Sequence, residues 1–127
     1  MNNKKIINPL IVIGFLLTLA IGCKKDQVDY ASQITGTYNG TVTIVGTGTI
    51  SGSSTLNKAS EEVVNLVITI NSKDTPLNGI SVSSSGNNVY NLSYTDASGT
   101  FSGQVKGNLL TWTLSAGSAT DTFTGSK

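Results

Sequence analysis

Cys23 is the one cysteine in the sequence, and its position gives it the clearest chemistry of any residue. It follows a basic start at Lys4 and Lys5 and then residues 9–21, which are apolar or small except for Thr18. That length is typical of the hydrophobic region of a signal peptide and is short for a membrane-spanning helix, which needs about 20 residues. A single cysteine cannot form an intrachain disulfide, so the presence of its thiol needs another explanation.

The residues leading to this cysteine, Leu19-Ala20-Ile21-Gly22-Cys23, resemble the lipobox of bacterial lipoproteins. A small residue precedes the cysteine and aliphatic residues precede that, although Ala20 stands where the lipobox usually has leucine. The resemblance implies a diacylglycerol thioether on Cys23, palmitate-type acylation and cleavage just before it. Two or three acyl chains would hold the protein stably on a membrane. The alternative is a free cysteine within an N-terminal membrane anchor.

Lys24-Lys25-Asp26 follows the cysteine directly and resembles the charged run found there in lipoproteins of Bacteroidetes-type bacteria. In those proteins such residues can direct export to the outer surface, and the alternative is a solvated tether. The resemblance implies a cell-envelope location, anchored to the outer membrane and facing either the periplasm or the surface. The membrane is then the first expected partner.

These features divide the chain into three segments. We expect a lipoprotein signal peptide at residues 1–22, a lipidated N-terminus with a polar linker at 23–33, and one domain at 34–127. Roughly 95 residues suffice for a single domain with a modest core.

Little other chemistry is available in the domain. The sequence has neither histidine nor arginine, which removes the commonest general base, the commonest metal ligand and the bidentate anion clamp. Glu61 and Glu62 are adjacent, and neighbours on a strand point to opposite faces, so they cannot readily form an acid/base pair. No calcium-loop spacing and no basic stripe is present. We therefore expect no enzyme activity, no metal, no cofactor and no nucleic-acid partner.

The domain has the period-two pattern of half-buried strands. In residues 34–44 apolar residues and glycines alternate with threonine and asparagine. Further strands are predicted at 47–55, 62–70, 77–82, 89–94, 100–105, 109–114 and 120–124, joined by turns rich in Gly and Asn. No segment after Cys23 has a sustained 3.6-residue apolar period, so we expect no helix there. The pattern predicts an all-β fold, a small antiparallel up-and-down β-barrel of about eight strands, with a β-sandwich as the alternative.

Gly-Thr-apolar-polar-Gly recurs at residues 36–40, 48–52 and 99–103. Period two places both glycines on the inward face, where they permit sharp coiling and leave room for a large neighbour across the core.

Residues 34–38, Ile-Thr-Gly-Thr-Tyr, resemble the first strand of calycin barrels, the superfamily of lipocalins and avidins, whose signature there is Gly-x-Trp. In this chain the aromatic is Tyr38. The arginine that packs over that aromatic in lipocalins has no counterpart, because the sequence contains no arginine. The resemblance implies a small lipocalin-like domain on a lipid anchor.

Aromatic residues on predicted inward faces are the candidates for ligand contact. They are Tyr38, Tyr90, Tyr94, Phe101 and Trp112, and the alternative for all five is plain core. Inward tyrosine hydroxyls need partners and would suit a small apolar or amphipathic ligand at a barrel mouth. Two functions follow: a small-ligand binding module, or a structural lipoprotein with a filled barrel that contacts another envelope protein.

Cys23→Ser tests the anchor. The substitution removes the thiol that would carry the thioether, so we expect lipidation to be blocked and unprocessed precursor to remain. Labelling of cells with radioactive palmitate measures this directly. Label retained by the serine variant would rule out Cys23 as the lipidated residue.

Overall fold

The structure, a computed structural model, describes residues 28–127. One short helix, α1 (Tyr30–Ile34), precedes eight strands. The strands are β1 (Gly36–Ile44), β2 (Gly48–Ser60), β3 (Val63–Ile70), β4 (Lys73–Gly86), β5 (Val89–Thr95), β6 (Thr100–Lys106), β7 (Leu109–Ala116) and β8 (Ala119–Ser126). The predicted signal peptide and Cys23 lie outside the described residues.

The eight strands form a closed antiparallel up-and-down barrel. Each strand pairs with its neighbour in sequence, and β8 returns to pair with β1 from Asn39↔Ser126 to Thr43↔Thr122. The predicted fold class is confirmed, and the β-sandwich alternative is wrong because the sheet closes on itself. No helix within residues 28–127 is long and apolar enough to cross a bilayer.

Two-residue turns set the register of the long hairpins. Asn71 and Ser72 have φ values of 52° and 64°, and Asn87 and Asn88 have 54° and 60°. Consecutive positive φ values are those of type I′ turns, whose twist matches that of the strands they join. Both turns fall where Asn-rich turn signals predict them.

Period-two alternation fills the inside of the barrel. One face of each strand is buried, and the core consists of Ala31, Ile34, Tyr38, Val42, Leu56, Val64, Leu66, Ile68, Ile80, Val82, Leu92, Phe101, Val105, Leu110, Trp112 and Phe123. An eight-stranded barrel has an interior just wide enough for its own side chains. The inward direction predicted for the aromatic residues is confirmed.

Inward glycines let neighbouring strands approach closely. Gly40 of β1 lies opposite Gly125 of β8, and a Cβ added at Gly125 would stand 2.8 Å from the Asn39 carbonyl oxygen. Gly103 lies opposite Trp112, and a Cβ there would stand 3.1 Å from the Trp112 Cβ. The small residue thus makes space for the large one across the strand pair, as the repeated motif predicts.

The expectation that no helix follows the signal peptide is wrong for one turn. Asp29 caps α1: its carboxylate accepts hydrogen bonds from the Ser32 amide at 3.1 Å and the Ser32 hydroxyl at 2.7 Å. The Ala31 amide also donates to the Glu61 carbonyl at 2.9 Å. A five-residue helix is too short to show a 3.6-residue period, and contacts with the barrel stabilise it. Ile34, predicted to start β1, is the last residue of this helix and is fully buried.

The largest differences from the predicted strand bounds are in β2 and β4. β2 extends to Ser60, so Glu61 and Glu62 form a turn instead of entering β3. β4 starts at Lys73 and includes Pro76, which lies opposite Val67. The ends of these strands consist of exposed polar residues. They lack the apolar alternation from which strands are predicted, so the predicted strands are too short.

Candidate functional site

The two ends of the barrel differ in how they are covered. We call the end with α1, the start of β1 and the β2–β3, β4–β5 and β6–β7 turns the closed end. The other end carries the β1–β2, β3–β4, β5–β6 and β7–β8 turns, and we call it the open end. A ligand site in such a barrel is expected either inside it or at an uncovered end.

Tyr38 and Lys127 seal the closed end together with α1. The Tyr38 hydroxyl donates to the Ile34 carbonyl at 2.8 Å, and the Lys127 ammonium donates to the Thr35 carbonyl at 2.7 Å. The Lys127 Nζ also lies 5.2 Å from the centroid of the Tyr38 ring, within the range of a cation–π interaction. The sequence contains no arginine that could pack over this aromatic. A lysine lies over the ring instead.

An ion pair holds the start of α1 against β2. Lys58 donates to the Asp29 carboxylate, and this bond, with the one from Ser32, lowers the pKa of Asp29 to about 2. Both side chains are more than a third exposed, so the pair contributes modestly to stability. Its effect is to position the helix across the closed end.

Aromatic rings fill the middle of the barrel. Trp112 stacks on Phe123 at 5.6 Å between centroids and packs against Phe101 at 5.8 Å. Its indole N–H donates to the Ser54 hydroxyl at 2.9 Å, so the one buried polar side chain in the described core has a partner. A ligand inside the barrel would have to displace this packed cluster.

The open end has no corresponding cover in the described structure. Apolar side chains on six strands there pack against the core but stay half-buried; they are Ile44, Ile50, Ile70, Leu77, Tyr94 and Leu114. An apolar cleft of about 180 Å³ lies at this end, between β4, β5, β6 and β7. The cleft is lined by Leu77, Tyr94, Asp96, Ser98, Gly99, Phe101, Leu114 and Ala116.

Asp96 organises the rim of this cleft. One carboxylate oxygen accepts from the Ser98 and Gly99 amides at 2.7 and 3.1 Å, and the other accepts from the Tyr94 hydroxyl at 2.7 Å. The hydrogen bond from Tyr94 and that from the Ser98 amide lower the pKa of Asp96. The same carboxylate raises the pKa of Tyr94. The rim therefore presents a fixed negative charge beside an apolar surface.

The structure brings together only two of the five predicted contact residues. Tyr94 and Phe101 are cross-strand partners and both line the cleft. Tyr38 and Trp112 belong to the buried core, and Tyr90 packs on Tyr30 of α1 at 6.1 Å. Those three lie too far inside the barrel or too near the closed end to share this site.

Several lining residues are missing from the sequence-based candidates. Leu114 reads as an ordinary inward residue, and Ala116 lies beyond the predicted end of β7. Leu77 is out of alternation with Ile80 and Val82, the inward residues predicted for its strand, and it reaches the cleft because the β3–β4 register shifts between Leu77 and Ile80. Asp96 begins a turn two residues after Tyr94, and this short spacing is the one signal that could have placed it at a mouth.

A wider, shallower depression of about 430 Å³ crosses the outer face of β5 to β8. Hydroxyl and amide side chains dominate it, among them Asn91, Ser102, Gln104, Thr111, Thr113, Thr122 and Thr124. It contains no charged side chain and lacks an enclosed apolar part, so the cleft is the better candidate for a ligand site. In residues 28–127 no three acidic, cysteine or histidine side chains are close enough together to hold a metal ion.

Comparison with known proteins finds no family model, no curated protein and no solved structure that matches this chain.

Tyr38→Phe tests the seal at the closed end. Burial raises the pKa of Tyr38 to about 12 from 10.0, the value expected for the unfolded chain. Folding thus favours the protonated phenol, and this contribution is fully present below a pH of about 10 and is lost as the pH rises towards about 12.

We expect the wild-type free energy of unfolding to fall faster than that of Tyr38→Phe over this window, measured by urea denaturation at stepped pH. The variant also loses the bond to Ile34, which lowers stability at every pH, so the slope is the informative quantity. Equal slopes would contradict a buried, hydrogen-bonded Tyr38.

Proposed function

We propose that this protein is a lipid-anchored component of the cell envelope that binds a small apolar or amphipathic ligand in the cleft at the open end. The observation that carries the proposal is the difference between the two ends. Helix α1, Tyr38 and Lys127 cover one end, whereas the other leaves half-buried apolar side chains around a cleft. Exposed apolar surface in a concave site is typical of ligand binding.

The size of the cleft limits the ligand. Pockets for drug-sized molecules usually occupy about 300–1,000 Å³, whereas an apolar cavity of about 150 Å³ accepts benzene. At about 180 Å³ the cleft has room for one aromatic ring or a short alkyl segment. A larger amphiphile would insert only its apolar end and keep the rest in solvent.

The expected anchor is compatible with access to this site. Residues 23–28 span at most about 20 Å, and they lead to α1 at the closed end. Lipid on Cys23 would therefore attach the closed end to the membrane, leaving the open end directed away from it. The outer-membrane location is supported by the lipobox-like segment and the charged run after it.

A structural lipoprotein remains the second candidate. The aromatic cluster around Trp112 fills the interior, as that function requires. A cleft of this volume would also accept a single apolar side chain of an envelope protein. The two functions share the site and differ in whether a free small molecule binds there.

Benzyl alcohol tests the cleft, because it has one ring and no charge. In the purified full chain we expect saturable NMR shifts of the Leu77 and Leu114 methyl groups, and none for Leu56 or Leu110, which are buried towards the closed end. A dissociation constant of about 1 mM is expected for so small a ligand. Ala116→Leu should abolish these shifts by filling the cleft.

Ala119→Leu is the matched control. Ala119 is exposed and lies directly opposite Ala116 on β8, but it does not line the cleft. We expect binding to survive in this variant. Absence of saturable shifts in the wild-type protein, or equal loss in both variants, would contradict ligand binding at this site.

A further inference from the structure

The charges of the described barrel are divided unevenly between its ends. The closed end carries three acidic side chains, Asp29, Glu61 and Glu62, and three lysines, Lys58, Lys106 and Lys127. The open end carries three aspartates, Asp74, Asp96 and Asp121, and a single lysine, Lys73. The end with the apolar cleft is therefore acidic, while the other is balanced.

Two of these carboxylates stand beside the cleft. Asp96 lines it, and its oxygens accept one bond from Tyr94 and two from the β5–β6 turn, which fixes the carboxylate at the rim. Asp121 lies directly across the β7–β8 pair from Leu114, another lining residue, and accepts a bond from the Val45 amide at 3.3 Å. Neither has a lysine within ion-pair distance in the described part of the chain.

The one cation at this end does not reach the cleft. Lys73 is the first residue of β4, opposite Ile70, and the cleft begins four residues later at Leu77. No lysine lines the cleft. A ligand seated there would thus meet apolar carbon inside and uncompensated negative charge at the rim.

We infer that the cleft selects a small cationic amphiphile, with its ring or alkyl group against Leu77, Phe101 and Leu114 and its ammonium group at the Asp96 rim. This inference rests on the proposed function and specifies the ligand class. Charge complementarity carries it: an ammonium near the rim gains Coulomb energy, whereas a carboxylate there is repelled by Asp96 and Asp121. Anionic amphiphiles such as fatty acids are therefore poor ligands for this barrel.

Three one-ring probes of similar size separate apolar fit from charge: benzylammonium, benzyl alcohol and benzoate. Binding to the full chain is followed at neutral pH by the Leu77 and Leu114 methyl shifts. At low ionic strength we expect benzylammonium to bind about tenfold more tightly than benzoate, with benzyl alcohol between them. The difference should shrink in about 1 M salt, where charges are screened within about 3 Å.

Asp96→Asn tests the residue assigned to the rim. Asparagine keeps the shape of the side chain and removes its charge. The quantity to compare is the ratio of the affinity for benzylammonium to that for benzyl alcohol, because a loss of affinity common to both probes leaves this ratio unchanged. We expect this ratio to fall towards one. Asp121→Asn should lower it less, and Glu61→Gln, which removes the same charge at the closed end, should leave it unchanged.

The outcomes distinguish the two proposals. If benzyl alcohol binds but benzylammonium binds no more tightly than benzoate, the cationic selectivity is overturned and the apolar site stands. An unchanged ratio in both Asp96→Asn and Asp121→Asn also overturns it. If none of the three probes shifts the Leu77 and Leu114 methyl groups, the proposed site itself fails.

Discussion

Close pairing of β1 with β8 is the constraint on which the rest of the structure depends. Gly40 and Gly125 face each other where these strands meet, and any side chain at either position would collide with the backbone of the partner strand. Because the two strands can approach, the sheet closes and leaves no unpaired edge. Closure with eight strands also sets the width of the interior, which the barrel's own side chains then fill.

A filled interior leaves only the ends for binding, and the ends differ because of three local arrangements. The Asp29 cap and its ion pair with Lys58 hold α1 in place, and Tyr38 bonds to the last residue of that helix. Lys127 adds a cation over the Tyr38 ring and a bond to Thr35. Nothing equivalent covers Leu77, Tyr94 and Leu114 in the described residues, so their apolar surface remains open around the cleft.

Local pattern was sufficient to predict the strands, the inward aromatic residues and the turns at Asn71 and Asn87, because alternation and positive φ are properties of neighbouring residues. It could not predict α1, which is stabilised by a bond from Ala31 to Glu61, thirty residues later. The position of Lys127 over Tyr38 and the grouping of Leu77 with Leu114 also depend on barrel closure. Tyr38 and Tyr94 therefore occupy different environments although both point inward. Tyr38 is buried at the closed end, whereas Tyr94 is half-buried at the open end.

Fluorescence of Trp112, the one tryptophan in the sequence, tests the central claim that the interior is filled and access is limited to the open end. The residue is 3 % exposed, its ring packs against those of Phe101 and Phe123, and its N–H donates to the Ser54 hydroxyl. A filled interior predicts blue-shifted emission in the folded protein that acrylamide quenches only weakly, with strong quenching restored on unfolding. Red-shifted emission that acrylamide quenches freely in the folded protein would contradict it, because the interior would then be open to solvent.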